Sequence, residues 1–324
     1  MSPPEQHRPL VLIGPTASGK SSLAVDVAAR SIAAGHPIEI VSADAMAVYS
    51  EMDIGTAAPT DAERRGVPHH LIAVADPSED YTVSRYQSEA RAVIDDIEQR
   101  GATPLVVGGT GLYVQSIVDD LRIPGQFPEV RAELDALPES DTLAMWARLR
   151  ELDPVAAAKM EPNNRRRVVR ALEVCIGSGR PFSSFGPGMD AFPPTRFSVV
   201  GLRIDRTLMD ARIDRRYEQQ MAEGFLDEVQ ALLARPAGLS RTARQALGYR
   251  ELIAHLAGES TLEEALDEAR RRTRRFARRQ QRWFGRDPRI HWIDIDSDRL
   301  PSNPSVLSEL ETHWSEIRQG ERRK

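Results

Sequence analysis

The chain has 324 residues, 41% of them hydrophobic, and a formal net charge of −5. That length is enough for one large core or for two domains. Its single cysteine, Cys175, excludes an internal disulfide and a multi-cysteine zinc site. No apolar run approaches the roughly 18 residues of a membrane span, and no signal sequence is visible, so we expect a cytoplasmic protein that does not enter a membrane.

The first predicted elements are a strand, a glycine-rich loop and a helix. Residues 9–13 form an apolar run of the buried-strand type, and residues 22–29 have apolar side chains at helical spacing. The segment between them fits the phosphate-binding pattern G-x-x-x-x-G-K-[ST]. Its residues are Gly14, Pro15, Thr16, Ala17, Ser18, Gly19, Lys20 and Ser21.

This loop predicts an anion site with defined roles for its last two side chains. Backbone N–H groups at the N-terminus of a helix attract phosphate oxygens. Lys20 adds a positive charge for the outer oxygens, and the Ser21 hydroxyl is placed to ligate a phosphate-bound Mg²⁺.

The following segments alternate between strands and helices. We predict strands at 38–42 and 104–107 and a helix at 84–99, with a further helix beginning near Leu112. This rhythm indicates an α/β fold with a parallel sheet, in which ligands bind beyond the carboxyl ends of the strands. The phosphate loop, Asp44 and Thr110 should therefore meet in one crevice.

The middle of the chain has a different character. Residues 124–194 are polar and helical, with many prolines and glycines, and the strand pattern returns only at 197–202. Long helices are predicted at 206–234 and 261–284, with a last strand at 291–295. We therefore divide the chain into a first core segment (1–122), a helical insertion (123–195), a second core segment (196–300) and a charged, mobile tail (301–324).

Arginine is concentrated in two places. Residues 270–289 contain ten arginines and one acidic residue, and Arg165, Arg166 and Arg167 form a second cluster. Concentrated basic patches on an acidic protein indicate a polyanionic partner. The alternative is a solvated helix face, although the long helix lacks acidic residues between Arg270 and Arg286.

Asp44 is the carboxylate at the predicted crevice. The strand at 104–107 ends in glycine and threonine, whereas an ATPase or GTPase usually has an acidic residue at such a strand end to help hold Mg²⁺. Asp44 could act as a general base, or bind Mg²⁺ through water. Equally, it could be a helix N-cap. If diphosphate is the leaving group, the same loop would stabilise the charge that develops on it.

Ordered sequence blocks extend over residues 8–294. They are GPTASGKS at 14–21, VSADAMAVY at 41–49, MDIGTA at 52–57, PHHL at 68–71, VGGTGLY at 107–113, DP at 153–154, RVVRALE at 167–173, GYRE at 248–251 and RRQQRWF at 278–284. Together and in this order they resemble the tRNA dimethylallyltransferases, also called tRNA isopentenyltransferases. The chain has no C-terminal Cys/His zinc module, so it resembles the bacterial form.

The resemblance implies a P-loop kinase-like core with a helical insertion that binds tRNA. The reaction implied is transfer of a dimethylallyl group from dimethylallyl diphosphate to N6 of adenine 37, in tRNAs that read codons starting with U. Two alternatives remain: prenylation of a free adenine nucleotide, and a P-loop kinase or NTPase acting on RNA. We expect Mg²⁺ as cofactor, the tRNA anticodon arm as partner, and a monomer.

The resemblance also implies roles for individual residues. Asp44 would accept the N6 proton, Thr110 would hydrogen-bond near the reacting groups, and Arg274 would bind the diphosphate. The implied tRNA contacts are Asp44, Ala45, Met46, Ala47, Thr110, Arg131, Asn163, Asn164, Arg165, Arg166, Arg167, Arg278, Arg279 and Gln280.

Overall fold

A parallel sheet of six strands organises the larger part of the computed structural model, which describes residues 8–296 and 303–321. The strands are β1 (Leu10–Ile13), β2 (Ile38–Ala43), β3 (His69–His70), β4 (Thr103–Gly108), β5 (Ser198–Ile204) and β6 (His291–Ile295). Their spatial order is β3-β2-β4-β1-β5-β6, and every neighbouring pair is parallel. The predicted α/β class with a parallel sheet is confirmed.

The strand register brings three loops to one edge of the sheet. Ile13 at the end of β1 lies opposite Gly108 at the end of β4, and Gly108 also lies opposite Ala43 at the end of β2. A Cβ atom on Gly108 would overlap the Ala43 carbonyl, so glycine lets these two strand ends lie close together. The segments that follow β1, β2 and β4 therefore begin side by side.

Two compact units make up the chain. One combines Met1–Asp119 with Pro194–Lys324, and the other is Asp120–Pro193. In the first unit the helices are α1 (Lys20–Ala33), α2 (Asp61–Arg64), α3 (Val83–Gln99), α4 (Gly111–Val118), α9 (Arg206–Ala222), α10 (Phe225–Leu233), α11 (Arg241–Arg244), α12 (Tyr249–Leu256), α13 (Leu262–Phe284) and α14 (Pro304–Glu321).

The second unit is helical and has its own core. Its helices are α5 (Pro128–Asp135), α6 (Thr142–Leu152), α7 (Pro154–Ala158) and α8 (Arg165–Ser178), with single 3₁₀ turns at Glu139–Asp141 and Phe182–Phe185. Leu149, Val168 and Leu172 are completely buried in this core. The unit spans 120–193, whereas the insertion predicted from the sequence spans 123–195.

Two elements differ from the sequence-based expectation. The predicted helix over 206–234 is interrupted at Gly224, whose φ of 98° ends α9 and starts α10. Where a mobile tail is expected, α14 forms, because Val306, Leu310 and Trp314 recur at helical spacing and are buried in the main core. Residues 301–302 and 322–324 of that tail lie outside the described ranges.

Helix α13 is the longest helix in the described part of the chain. Thr261 caps it, with Glu264 completing a capping box. Ala269, Thr273 and Gln280 lie on its buried stripe.

Within the described ranges, no helix has the length and apolar character needed to cross a membrane.

Candidate functional site

The phosphate loop has an open helix N-terminus. Gly19 adopts a left-handed conformation with φ 86°, and Ala17 also has a positive φ of 64°. The Ser18 N–H donates to the Pro15 carbonyl at 3.2 Å, which closes the turn. Helix α1 then begins at Lys20, with no side-chain cap and no acidic residue in its first turn. Its first N–H groups are therefore oriented for an anion.

Gly14 and Ser18 pack against each other at the base of the loop. A Cβ atom on Gly14 would lie 2.7 Å from the Ser18 Oγ, so no larger residue fits there without a shift. Ser18 is completely buried, and its Oγ has no hydrogen-bond partner among the residues that the structure describes. A buried polar atom without a partner is uncommon, and this one lies at the base of a loop whose backbone fits an anion.

Lys20 is half-buried within the loop, where its Nζ donates to the Pro15 carbonyl at 3.3 Å. Burial lowers the pKa of Lys20 to about 8, the nearby Asp44 carboxylate opposes that shift, and the Arg216 guanidinium adds to it. Arg216 reaches the same loop through the Thr16 Oγ1, and Asp44 follows β2 at the edge of the sheet where β1 ends. An arriving anion would restore the charge on this amine.

The lowered pKa of Lys20 predicts how anion binding depends on pH. The charged amine binds the anion, so affinity relative to that of the Lys20→Arg variant should be nearly constant below about pH 7 and should weaken by up to about tenfold per pH unit above pH 8. Calorimetric titration with inorganic pyrophosphate between pH 6.5 and 9.5 would measure this. Lys20→Arg is the control, because its guanidinium stays charged. If affinity depended on pH in the same way in both proteins, Lys20 would not be the group that binds the anion.

Asp44 follows β2 and combines the two roles that the sequence left open. Its Oδ1 accepts hydrogen bonds from the backbone N–H groups of Met46 (2.9 Å) and Ala47 (3.4 Å), which is a local cap. Its side chain is partly exposed. Across the described residues, no hydrogen bond reaches its Oδ2. One oxygen therefore holds the 44–47 segment while the other remains available to a substrate.

Thr110 fixes the same segment from the neighbouring strand. Its Oγ1 accepts from the Ala45 N–H at 3.0 Å, and its own N–H donates to the Ala43 carbonyl at 3.2 Å. The hydroxyl proton is still able to donate to a ligand. Thr110 and Asp44 therefore come together at the edge of the sheet, as their positions after two strands predict.

Gln280 joins two of the loops at this edge. Its Oε1 accepts from the Thr16 N–H at 2.9 Å, and its Nε2 donates to the Gly109 carbonyl at 2.8 Å. The side chain is only 7% exposed. The resemblance implies that Gln280 contacts tRNA, but the structure places it between the loops and away from the exposed face of α13.

Two arginines of α9 that were not predicted as site residues contact the phosphate loop. Arg216 donates to the Thr16 Oγ1 at 3.0 Å and to the carbonyl of Thr56 at 3.0 Å. Arg212 donates to the carbonyls of Ala17 (3.1 Å) and Ser18 (3.2 Å). Along the sequence these residues are simply two of several charges on a helix, so no signal distinguished them.

Arg216 carries its charge in a poorly solvated position beside the phosphate loop. No acidic side chain in the described parts of the chain forms an ion pair with it. Burial lowers the pKa of Arg216, which shows that its charge is poorly solvated, although Tyr217 and Asp44 oppose the shift. A desolvated guanidinium beside a phosphate loop is a strong candidate for binding a diphosphate.

Arg274, the arginine implied by the resemblance, has other partners. Its guanidinium forms an ion pair with Asp214 and lies 4.0 Å from Asp210, both on α9. Within the described ranges it makes no hydrogen bond to the phosphate loop. Its predicted role in binding diphosphate remains a prediction.

The arginines of α13 separate into two groups. Those at the start of the cluster are paired: Arg270 with Asp267, Arg271 with Glu268, Arg272 with Glu251, and Arg274 with Asp214. The four arginines of the second group, which we call the free arginine row, have no acidic partner within 4.0 Å in the described structure. They are Arg275, Arg278, Arg279 and Arg282, of which all but the half-buried Arg278 are exposed.

In the smaller unit, the predicted tRNA-binding stretch also divides. Arg165 donates to the carbonyls of Leu134 (3.1 Å) and Leu137 (2.6 Å), so it caps the end of α5. The Asn164 side chain caps α8 by accepting from the Arg167 N–H at 3.3 Å. These contacts give Arg165 and Asn164 structural roles within the unit.

The remaining members of the stretch are exposed. Asn163, Arg166 and Arg167 point to solvent at the N-terminus of α8. Positive charges at a helix N-terminus are unfavourable, which favours a site for an anion there. Arg131 is held by ion pairs with Asp135 (2.8 Å) and Glu173 (3.5 Å).

The residues at the loop fit Mg²⁺ held together with a phosphate. The Ser21 side chain is exposed on the first turn of α1, and Asp44 has one available oxygen. The described residues contain no group of three His, Cys, Asp or Glu side chains that could hold a metal ion. Mg²⁺ commonly takes one or two protein oxygens and completes its shell with phosphate and water.

The fold and site define a P-loop α/β unit with a carboxylate and a poorly solvated guanidinium beside its phosphate loop. The chain belongs to the IPP transferase family, whose model matches residues 47–287. The resemblance inferred from the sequence blocks is thereby confirmed. The chain is 50% identical to the tRNA dimethylallyltransferase of Kineococcus radiotolerans, over 93% of this chain and 96% of the relative. With the Thermobifida fusca enzyme of the same name the identity is 48%, over 92% and 93%.

Solved structures show the same relationship. The tRNA isopentenylpyrophosphate transferase of Bacillus halodurans matches with a TM-score of 0.68 and 36% identity, over 97% of this chain and 99% of that one. A eukaryotic dimethylallyltransferase acting on tRNA matches with a TM-score of 0.74 and 26% identity, over 93% of this chain and 77% of that one.

Proposed function

We propose that this protein is a tRNA dimethylallyltransferase. It would transfer a dimethylallyl group from dimethylallyl diphosphate to N6 of adenine 37, in tRNAs that read codons starting with U. Family membership and the names of the relatives support the reaction class. The structural observation that carries the proposal is the phosphate loop, where Lys20 bonds to Pro15 and Arg216 to Thr16, with Asp44 following β2 at the same edge of the sheet.

The diphosphate is the leaving group in this reaction. As its bond to the allylic carbon breaks, negative charge grows on its bridging oxygen. The N-terminal N–H groups of α1, Lys20 and Arg216 would stabilise that charge, and they are already oriented before the substrate binds. Mg²⁺, held by Ser21 and the diphosphate, would neutralise part of the same charge.

Asp44 acts on the nucleophile. The N6 amine of adenine is a poor nucleophile because its lone pair is delocalised into the ring. The Oδ2 of Asp44 would accept a hydrogen bond from N6–H and take the proton as the N–C bond forms. The adenine must leave its stack to reach this carboxylate, so base flipping is expected.

Each unit offers its own exposed arginines to tRNA. In the larger unit these are the free arginine row, which includes the predicted residues Arg278 and Arg279. In the smaller unit they are Arg166 and Arg167, with Asn163 beside them. Contacts from arginine to phosphate position a nucleic acid without reading its sequence. The 44–47 segment would then contact the target nucleotide.

One labelling experiment separates the candidate functions. The protein is incubated with Mg²⁺ and labelled dimethylallyl diphosphate, together with either tRNA or AMP, and the labelled product is identified. We expect label in tRNA at adenine 37. Label in AMP would favour the free-nucleotide reaction. Transfer to neither acceptor, together with ATP turnover, would contradict prenyl transfer and favour a kinase or NTPase.

The free arginine row predicts a steep salt dependence of tRNA binding. Each arginine–phosphate contact should contribute about 0.7–0.9 to the slope of log K against log salt. The double variant Arg278→Gln/Arg282→Gln should therefore bind more weakly and have a slope shallower by about 1.5. Filter binding at several salt concentrations measures the affinity and this slope. Arg271→Gln is the matched control, because Arg271 is paired with Glu268 on the same helix. An unchanged slope in the double variant would exclude the row from tRNA binding.

A further inference from the structure

We propose that Gln280 is a positioning residue that locks the phosphate loop to the loop that carries Thr110. The side chain amide is buried between Thr16 and Gly109, and it uses its oxygen for one loop and its nitrogen for the other. The two loops follow β1 and β4, which are neighbours in the sheet. The inference rests on the proposed function, since it assigns Gln280 a part in the same reaction.

Only an amide satisfies both loops. The Thr16 N–H needs an acceptor and the Gly109 carbonyl needs a donor, and glutamine supplies one of each. A glutamate would lose the donor and bring a negative charge toward the anion site. A methionine of similar length would leave both backbone groups without a partner in a buried place.

Gly109 makes this close approach possible. A Cβ atom at Gly109 would collide with the Gln280 Nε2 and come within 3.0 Å of the Gly14 carbonyl. The backbone of the second loop therefore lies directly against both the amide and the phosphate loop. This contact explains why a glycine is needed there, beyond a general need for a flexible turn.

The contacts of Gln280 lead to both ends of the reaction. On one side, Thr16 also receives the hydrogen bond from Arg216, so the amide helps fix the diphosphate cradle. On the other side, Gly109 precedes Thr110, whose hydroxyl holds the Ala45 N–H next to Asp44. One side chain thus sets the distance between leaving-group site and base. A misplacement of about 1 Å can cost about 10²-fold in rate.

The first test compares Gln280→Met with Gln281→Met. Gln281 is the next residue of α13 and donates to the Ile204 carbonyl at 3.0 Å, so its variant removes a similar hydrogen bond away from the loops. For Gln280→Met we expect kcat to fall about 10- to 100-fold at saturating substrates, with the tRNA Kd within about twofold of the wild type. For Gln281→Met we expect an unchanged kcat. If Gln280→Met instead raised the tRNA Kd and left kcat unchanged, Gln280 would be a tRNA contact and the proposal would be overturned.

The second test separates positioning from stability. Gln280→Glu should weaken the binding of inorganic pyrophosphate more than Gln280→Met does, because a carboxylate beside the loop repels the anion. In a protein that already carries Thr110→Val, Gln280→Met should lower kcat by a smaller factor than it does in the wild type, because both residues fix the same loop. If the two substitutions lowered kcat by independent factors that simply multiply, Gln280 would not be a positioning residue. The same conclusion would follow if Gln280→Met lowered Tm but left kcat and pyrophosphate affinity intact.

The pyrophosphate readout does not depend on prenyl transfer. If the wild type bound pyrophosphate but transferred no label to tRNA, the proposed function would fail while the glutamine series still reported on the loops. A wild type that did not bind pyrophosphate would contradict both proposals.

Discussion

Asp44→Asn is expected to lower kcat by about 10²-fold or more, while tRNA binding and Tm stay close to those of the wild type. Asparagine keeps the Oδ1 acceptor, so the cap on Met46 and Ala47 survives. It lacks the negative charge and cannot take the N6 proton. Single-turnover transfer of dimethylallyl to tRNA, at saturating concentrations of both substrates, measures the chemical step.

The control for this prediction is Asp44→Ala, which removes the cap as well. It should lose activity to a similar extent and also lose stability, by about 0.5–2 kcal/mol for a cap of this type. If Asp44→Asn instead transferred the dimethylallyl group at the wild-type rate while Asp44→Ala was unstable, Asp44 would serve only as a local cap and would not be the general base.

A second readout comes from the neighbouring lysine. The carboxylate of Asp44 raises the pKa of Lys20 against the effect of burial. In Asp44→Asn the pH above which pyrophosphate binding weakens should therefore move below 8. This shift would show that the two side chains interact at the loop, independently of any assay of transfer.

Arg216→Gln is expected to lower kcat/KM for dimethylallyl diphosphate by about 10²–10³-fold, as for loss of one oriented donor to a developing oxyanion. The guanidinium is desolvated, contacts Thr16 and Thr56, and lacks an acidic partner among the described residues. Arg216→Lys keeps the charge without the planar fork, so its loss should be intermediate. Steady-state kinetics at saturating tRNA give the ratio.

Arg215→Gln is the matched control, since Arg215 is exposed on the same helix. It should behave like the wild type. Arg274→Gln decides between the two assignments for the diphosphate. If its loss of pyrophosphate affinity exceeded that of Arg216→Gln, the role implied by the family resemblance would be correct and the role we assign to Arg216 would be wrong.

The central strands of the fold could be predicted from the sequence because each is marked by a run of apolar residues that are adjacent along the chain. The apolar runs of β1, β2 and β4 are buried along their whole length, as their composition predicts. The two-residue strand β3 was missed, since it is too short to show a pattern. Helix α14 was missed because the charge of the tail obscured a sparse apolar stripe at Val306, Leu310 and Trp314.

The sequence by itself determined the phosphate loop, the position of Asp44 after a buried strand, and the family. These depend on residues that are adjacent along the chain or ordered in blocks. Only the tertiary structure decided how arginines and amides are used. Gln280 reaches Thr16 across 264 positions and Arg216 reaches it across 200. No local pattern encodes such contacts, because they exist only once the sheet has brought α9 and α13 to the loop.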